Sequence, residues 1–179
     1  MTSAALRPCV FFDRDGIVNR SPGPGYVNHL DDFHLLPGFA ACVRAAAEKG
    51  FAAVVVTNQR GISRGLTPPD QLAAMHRHLQ DELAREGLAL LDILVCTADD
   101  DAHPDRKPNP GMLRTAARRH GLDLAKSWMI GDRESDVRTG QNAGVAATVL
   151  VDAGAAPTAA TWRVPDMPAC AALLREKLG

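Results

Sequence analysis

Asp13 and Asp15 stand two residues apart, directly after the apolar run Cys9-Val10-Phe11-Phe12. Where the backbone is extended, side chains at that spacing leave on the same side. One carboxylate can then serve as nucleophile and metal ligand while the other, a step farther into the loop, acts as acid and base. Gly16 lets the chain turn there. Farther along, Thr57 and Asn58 close a second apolar run, Lys107 lies in RKPNP, and Asp132 follows Gly131 with Asp136 behind it. Carboxylates meeting at one edge repel and call for a cation, and all-oxygen donors of this kind suit Mg²⁺. A hydroxyl, an amide and a lysine at the same edge suit a phosphate. Thr57 and Asn58 supply the donors, and Lys107 is a point charge able to hold both the attacking carboxylate and phosphoryl oxygens. Its place before Pro108 predicts an extended backbone. Asp132 would complete the metal's carboxylates, with Asp136 orienting it from the first turn of a helix. Taken singly, each signal has a bland reading. A DxD is a surface loop, Thr-Asn is turn chemistry, and GDxxxD is a helix cap. Their order, each at a predicted strand end, points to joint chemistry.

The elements that must position these residues follow from apolar patterning. Short continuous runs at Cys9–Phe12, Phe51–Val56, Leu91–Cys96, Trp128–Ile130 and Val145–Val151 read as buried strands. Between them, helical spacing covers Pro37–Lys49, Pro68–Glu86, Pro110–His120 and Glu134–Asn142. This alternation predicts an α/β fold, a parallel sheet with helices on both faces, and ligands beyond the carboxyl ends of the strands.

Composition narrows the function classes. With 20 Lys+Arg against 21 Asp+Glu, the formal net charge is −1, which leaves no overall footprint for a nucleic acid. At 46% hydrophobic and 4% aromatic residues, the 179-residue chain suits one globular domain, 1–179, built on Ala, Val and Leu. Residues 1–8 are too short and polar for a signal peptide, and no run spans a membrane. Cys9, Cys42, Cys96 and Cys170 lack paired spacings and read as buried thiols of a cytoplasmic protein. The near-neutral single domain favours a monomer.

The four motifs, DRDG (Asp13–Gly16), VVVTN (Val54–Asn58), RKP (Arg106–Pro108) and GDRESD (Gly131–Asp136), resemble those of the haloacid-dehalogenase (HAD) superfamily of phosphohydrolases. FFDRDGIVN, GYVN, VVVTNQRGISRG and RKPNPGM are similar to the subgroup containing D-glycero-D-manno-heptose 1,7-bisphosphate phosphatase and histidinol-phosphate phosphatase, over about residues 8–152. The resemblance implies a Rossmann-like fold with a minimal cap or none, and a Mg²⁺-dependent phosphatase acting on a small phosphorylated sugar. It implies attack by Asp13 to form an aspartyl-phosphate, and Asp15 as acid and then base. Metal ligation would come from Asp13, the Asp15 main-chain carbonyl and Asp132, and phosphoryl binding from Thr57 and Lys107. Arg106 matches a residue contributing to substrate recognition, and Asn58 one near the substrate. Loops 19–30 and 61–65 and the acidic loop after Cys96 would form the rim.

Two departures stand out. Relatives carry a structural zinc loop, Cys-x-His and later Cys-x-Cys, where this chain has CTADDDAHPDRKP. Cys96 remains, Ala98 replaces the histidine, and His103 and Asp105 stand at the later cysteines. Three ligands fall short of a closed four-ligand site, so no structural zinc is expected and the stretch reads as a solvated acidic loop. Arg60 stands where relatives carry a small serine, either as a solvated arginine or as an extra cation for a second phosphate. Alternatives to the sugar-bisphosphate reading are histidinol phosphate as substrate, a phosphoacceptor signalling domain, and a retired binding scaffold. The acid pair on the first strand argues against the signalling domain, and Asp15 against the scaffold.

Overall fold

The computed structural model describes residues 5–179. Residues 1–4, part of the opening stretch expected not to be a leader, lie outside the described residues. The apolar runs become strands of one parallel sheet: β1 (Cys9–Phe12), β2 (Ala52–Asn58), β3 (Asp92–Cys96), β4 (Trp128–Gly131), β5 (Ala147–Val151) and β6 (Trp162–Val164). Their order is β3-β2-β1-β4-β5-β6, and every pairing is parallel. The helices are α1 (Phe39–Glu48), α2 (Arg60–Ser63), α3 (Pro69–Arg85), α4 (Gly111–His120), α5 (Glu134–Ala143) and α6 (Met167–Lys177).

Continuous rather than alternating hydrophobicity in β1 and β2 reflects burial on both faces. Val10 and Phe12 enter one core with Ala53 and Val55, against α1, α3 and α6. Cys9 and Phe11 enter the other with Ala52, Val54 and Val56, against α4. Phe12 meets Phe39 of α1 edge to face, centroids 5.3 Å apart. Burying each such side chain contributes about 2 kcal/mol. All four cysteines are buried and free.

Three sequence expectations need correction. The sheet has a sixth strand, β6, and a helix after it; β6 is three residues long, partly exposed, and follows an Ala/Pro/Thr-rich stretch without periodic signal. The start of α6 was legible in principle: the Asp166 side chain accepts from the Ala169 N–H (2.8 Å), with Pro168 in the first turn. Second, β3 is not buried throughout. It is an edge strand, and Asp92, Ile93 and Val95 remain half-buried. Third, RKPNP is not an extended stretch but a succession of turns and bends. The Lys107–Pro108 peptide is cis, inside a turn where Asn109 N–H donates to the Arg106 carbonyl (2.8 Å).

The strand order reverses around β1. The chain moves outward to β2 and β3, then returns to the other side for β4, so loops leaving β1 and β4 diverge at their carboxyl ends and open a crevice. Between β1 and α1 the segment from Asp13 to Gly38 carries a 3-10 turn, Leu30–Asp32, and isolated bridges of Asp15 with Asn19 and of Asn19 with Leu35. No helix of the described residues is long and apolar enough to cross a membrane.

Candidate active site

The crevice is a cleft of about 280 Å³. Asp13, Asp15, Lys107 and Asp136 line its floor, and Arg60, Arg106, Arg133 and the Pro22–Tyr26 loop its rim. Asp13 prolongs the β1 ladder, its N–H donating to the Ile130 carbonyl of β4 (2.9 Å). Asp132 follows β4, and Gly16 makes room for it: Gly16 has φ +95°, and a Cβ there would stand 2.2 Å from Asp132 Oδ2. Asp13, Asp132 and Asp136 each bring a carboxylate oxygen to within 4.8 Å of the others.

Lys107 Nζ sits inside this group, donating to Asp13 Oδ1 (2.5 Å) and Asp136 Oδ1 (2.6 Å). Its position is set from β2. The Asn58 amide accepts from the Lys107 N–H (3.1 Å) and donates to the Lys107 carbonyl (3.2 Å). Asn58, expected to donate to phosphate, lines the cleft and also grips the lysine's main chain. Asp136 also serves α5, its Oδ2 accepting from the Arg133 N–H (3.2 Å) at the helix start. It bonds Lys107 and the helix start rather than orienting Asp132.

Three carboxylates crowd around one buried ammonium, with the exposed Arg133 guanidinium 3.9 Å from Asp132 Oδ1. Burial, together with Asp136 and Asp132 and despite Lys107, pushes Asp13 up to about 7. Burial and Asp136 push Asp132 up to about 6. Burial works against the Lys107 charge, but Asp13 and Asp136 more than offset it and raise its pKa. Asp132 Oδ1 is buried without a hydrogen-bond partner among the described residues. Mutually repelling carboxylates, one with an orphaned buried oxygen, fit a hard divalent cation.

Asp15 lies to one side of this trio, outside its reach. Its Oδ1 accepts from Arg14 Nε (3.1 Å), Arg14 Nη2 (2.9 Å) and Asn19 Nδ2 (2.9 Å), and its Oδ2 from Gln59 Nε2 (3.0 Å). Gln59 Nε2 also donates to Thr57 Oγ1 (2.8 Å), leaving the Thr57 O–H to donate elsewhere. Arg14, Asn19 and Gln59 were not among the sequence candidates, although Arg14 lies inside DRDG and Asn19 and Gln59 lie shortly after a motif position. All three are buried.

At the rim, Arg60 pairs with Asp99 (2.8 Å) and Asp101 (3.1 Å), Arg64 with Asp99 (2.9 Å), and Arg106 with Asp101 (2.7 Å). Arg106 also donates to the Ala98 carbonyl (3.1 Å). The acidic loop is therefore tied to the rim cations. Cys96 Sγ lies 3.8 Å from His103 Nδ1, which accepts from the Asp105 N–H (3.2 Å). The Asp105 side chain packs instead against Gly111.

A family model described as HAD-hydrolase-like matches residues 105–172. The chain is 34% identical over 151 residues to the D-glycero-beta-D-manno-heptose-1,7-bisphosphate 7-phosphatase of Rhodopseudomonas palustris, covering 80% of this chain and 83% of that one. It is 36% identical over 167 residues to the D-glycero-alpha-D-manno-heptose-1,7-bisphosphate 7-phosphatase of Burkholderia mallei, covering 85% of each. Its fold superposes with a TM-score of 0.83 on D,D-heptose 1,7-bisphosphate phosphatase from B. bronchiseptica, solved with magnesium and phosphate; the two are 32% identical, over 95% of this chain and 99% of that one. From the strand-end aspartates to these relatives over most of its length, the chain belongs to the HAD superfamily of phosphatases, in the group of the heptose-1,7-bisphosphate 7-phosphatases.

Proposed function

We propose that this chain is a Mg²⁺-dependent phosphatase that removes the terminal phosphate of D-glycero-D-manno-heptose 1,7-bisphosphate, or of a related long-chain sugar bisphosphate, through an aspartyl-phosphate. The observation that carries the reading is the buried Asp13–Lys107–Asp136 group with Asp132 beside it and Asp15 in the same cleft. Lys107 holds Asp13 with one oxygen committed, and the other is left for attack. An Asp13 oxygen bonds to phosphorus as the phosphorus–sugar oxygen bond breaks, and Asp15 gives its proton to the departing alkoxide. Asp15 then takes a proton from the water that cleaves the acyl phosphate, which returns Asp13 and releases inorganic phosphate. Thr57 and Lys107 bind the phosphoryl oxygens, where charge stabilisation counts most. Asp13, Asp132 and the Asp15 main-chain carbonyl would hold Mg²⁺, which supplies positive charge against the phosphoryl oxygens. Asp136 supports the site through Lys107.

Arg106 and Arg60 face the cleft from the rim and are the residues to meet a second phosphate. Their present partner Asp101 is exposed, and exchanging an exposed carboxylate for a phosphate dianion costs little. Arg106→Ala and Arg60→Ala are each expected to raise KM for the bisphosphate by about 10-fold while kcat holds. An unchanged KM in both would remove the rim from substrate binding. The same reading treats residues 1–179 as one catalytic domain, a cytoplasmic monomer, to be checked by light scattering.

The deciding assay is phosphate release across both anomers of the heptose bisphosphate, sugar monophosphates and histidinol phosphate, with Mg²⁺ and with chelator. The bisphosphate should be hydrolysed fastest, chelation should abolish turnover, and Asp13→Asn should lose at least about 10³-fold in kcat. Activity surviving either treatment would overturn the mechanism; preference for histidinol phosphate would overturn the substrate.

A further inference from the structure

Asp15 is held more tightly than an acid and base at an open cleft requires for stability alone. Its two oxygens accept from five donor contacts, three of them from Arg14: Nε and Nη2 to Oδ1 (3.1 and 2.9 Å), and Nη2 to Oδ2 (3.2 Å). Arg14 is fully buried, its guanidinium 5.6 Å from the centroid of the Phe33 ring. Its Nη1 is buried without a partner among the described residues. An apolar side chain of similar volume would fill that space without the desolvation of a cation, so core packing does not account for the guanidinium. The carboxylate of Asp15 does.

Gln59 makes the second clamp. It is buried, its main-chain N–H is fixed on the Cys96 carbonyl (2.7 Å), and its single amide nitrogen reaches both Asp15 Oδ2 and Thr57 Oγ1. The acid and a phosphate ligand thus share one cross-link. We propose that Arg14 and Gln59 are positioning residues, which fix the plane of the Asp15 carboxylate so that its free lone pairs face the substrate's leaving oxygen. The inference rests on Asp15 being the acid and base, as read above. Asn19 completes the clamp from the same loop (2.9 Å).

A positioning role predicts an effect that depends on the leaving group. An alkoxide must be protonated as it departs, whereas 4-nitrophenolate leaves without help. The quantity to read is kcat/KM, which covers the steps through departure of the leaving group and omits later hydrolysis of the acyl phosphate. Gln59→Met, similar in size and without donors, is expected to lose about 10- to 100-fold on a sugar bisphosphate and less than about 3-fold on 4-nitrophenyl phosphate. Arg14→Lys keeps the charge but not the fork, and should show the same selective loss with a near-native melting temperature. It decides the matter should Gln59→Met fail to fold. In an Asp15→Asn background, Gln59→Met should add little further loss on the sugar bisphosphate, because the group it aims is gone.

Equal loss on both substrates, or a full Gln59→Met loss persisting without Asp15, would make these residues merely structural and overturn the inference while leaving the phosphatase reading intact. A wild-type protein that hydrolyses neither substrate would overturn both.

Discussion

At Gly131 a side chain has nowhere to go: a Cβ would stand 2.2 Å from the Cβ of Asp136. Asp136 carries one of the two carboxylates that hold Lys107, so the glycine acts on the cleft through its neighbour. Gly131→Ala should displace the first turn of α5 and lower kcat by at least about 10-fold, with a lower melting temperature. Gly16→Ala strikes the other side. There the new methyl meets Asp132 Oδ2 at a positive φ, and the expected result is weaker Mg²⁺ binding by calorimetry together with lost activity. At this scale the meeting of Asp13, Lys107 and Asp132 in one cleft was legible from residue type and the order of the motifs. That Asn58 holds the Lys107 main chain was not legible, because an amide serves a phosphate and a main chain equally well. Arg14 escaped notice because an arginine beside an aspartate reads as solvated until its burial is known.

Elements position these residues, and α3 shows how. Its His76 lies under the DRDG loop, where burial, reinforced by the Arg14 cation and despite Asp15, pushes it down to about 4. The unfolded chain has an ordinary histidine near 6.5 and binds the proton more readily, so stability is fully present above about 6.5 and is lost as pH falls toward 4. Allowing for the partial exposure of the ring, the loss is about 2 kcal/mol. His76→Gln should flatten the fall in denaturant stability between pH 7.5 and 4.5 relative to wild type; parallel curves would show that His76 does not carry it. Strand and helix existence was readable from periodicity for the central elements, whose burial on both faces leaves unbroken apolar runs. At the sheet's ends it missed β6, and for β3 it found the strand but overstated its burial. The edge strand β3 is half covered, and β6 is too short to show a period.

For the whole molecule, the cleft concentrates a cost that the rest of the fold must carry. Asp13, Asp132 and Asp136 crowd around Lys107 with the exposed Arg133 at their edge, and their repulsion in the metal-free protein is relieved by a divalent cation. Asp132→Asn is therefore expected to raise the melting temperature of the metal-free protein by a few degrees, about 1 kcal/mol, and to remove most of the stabilisation by Mg²⁺. Thermal melts with Mg²⁺ and with chelator check both halves, and a lower metal-free melting temperature in the variant would contradict the argument. The chain's near-neutral total, 20 basic against 21 acidic residues, hides this uneven placement. The order of motifs along the chain determined the sheet, the strand-end site and the chemistry its residues can perform, because residue type and local periodicity are properties of short segments. Only the tertiary structure decided which carboxylate takes Lys107, that Asn58 grips the lysine's backbone, that Asp99 and Asp101 hold the rim arginines, and that Arg14 and Gln59 surround Asp15. Those choices depend on burial and, for pairs such as Gln59 to Asp15 and Lys107 to Asp13, on approaches between residues 44 and 94 positions apart, which no local pattern records.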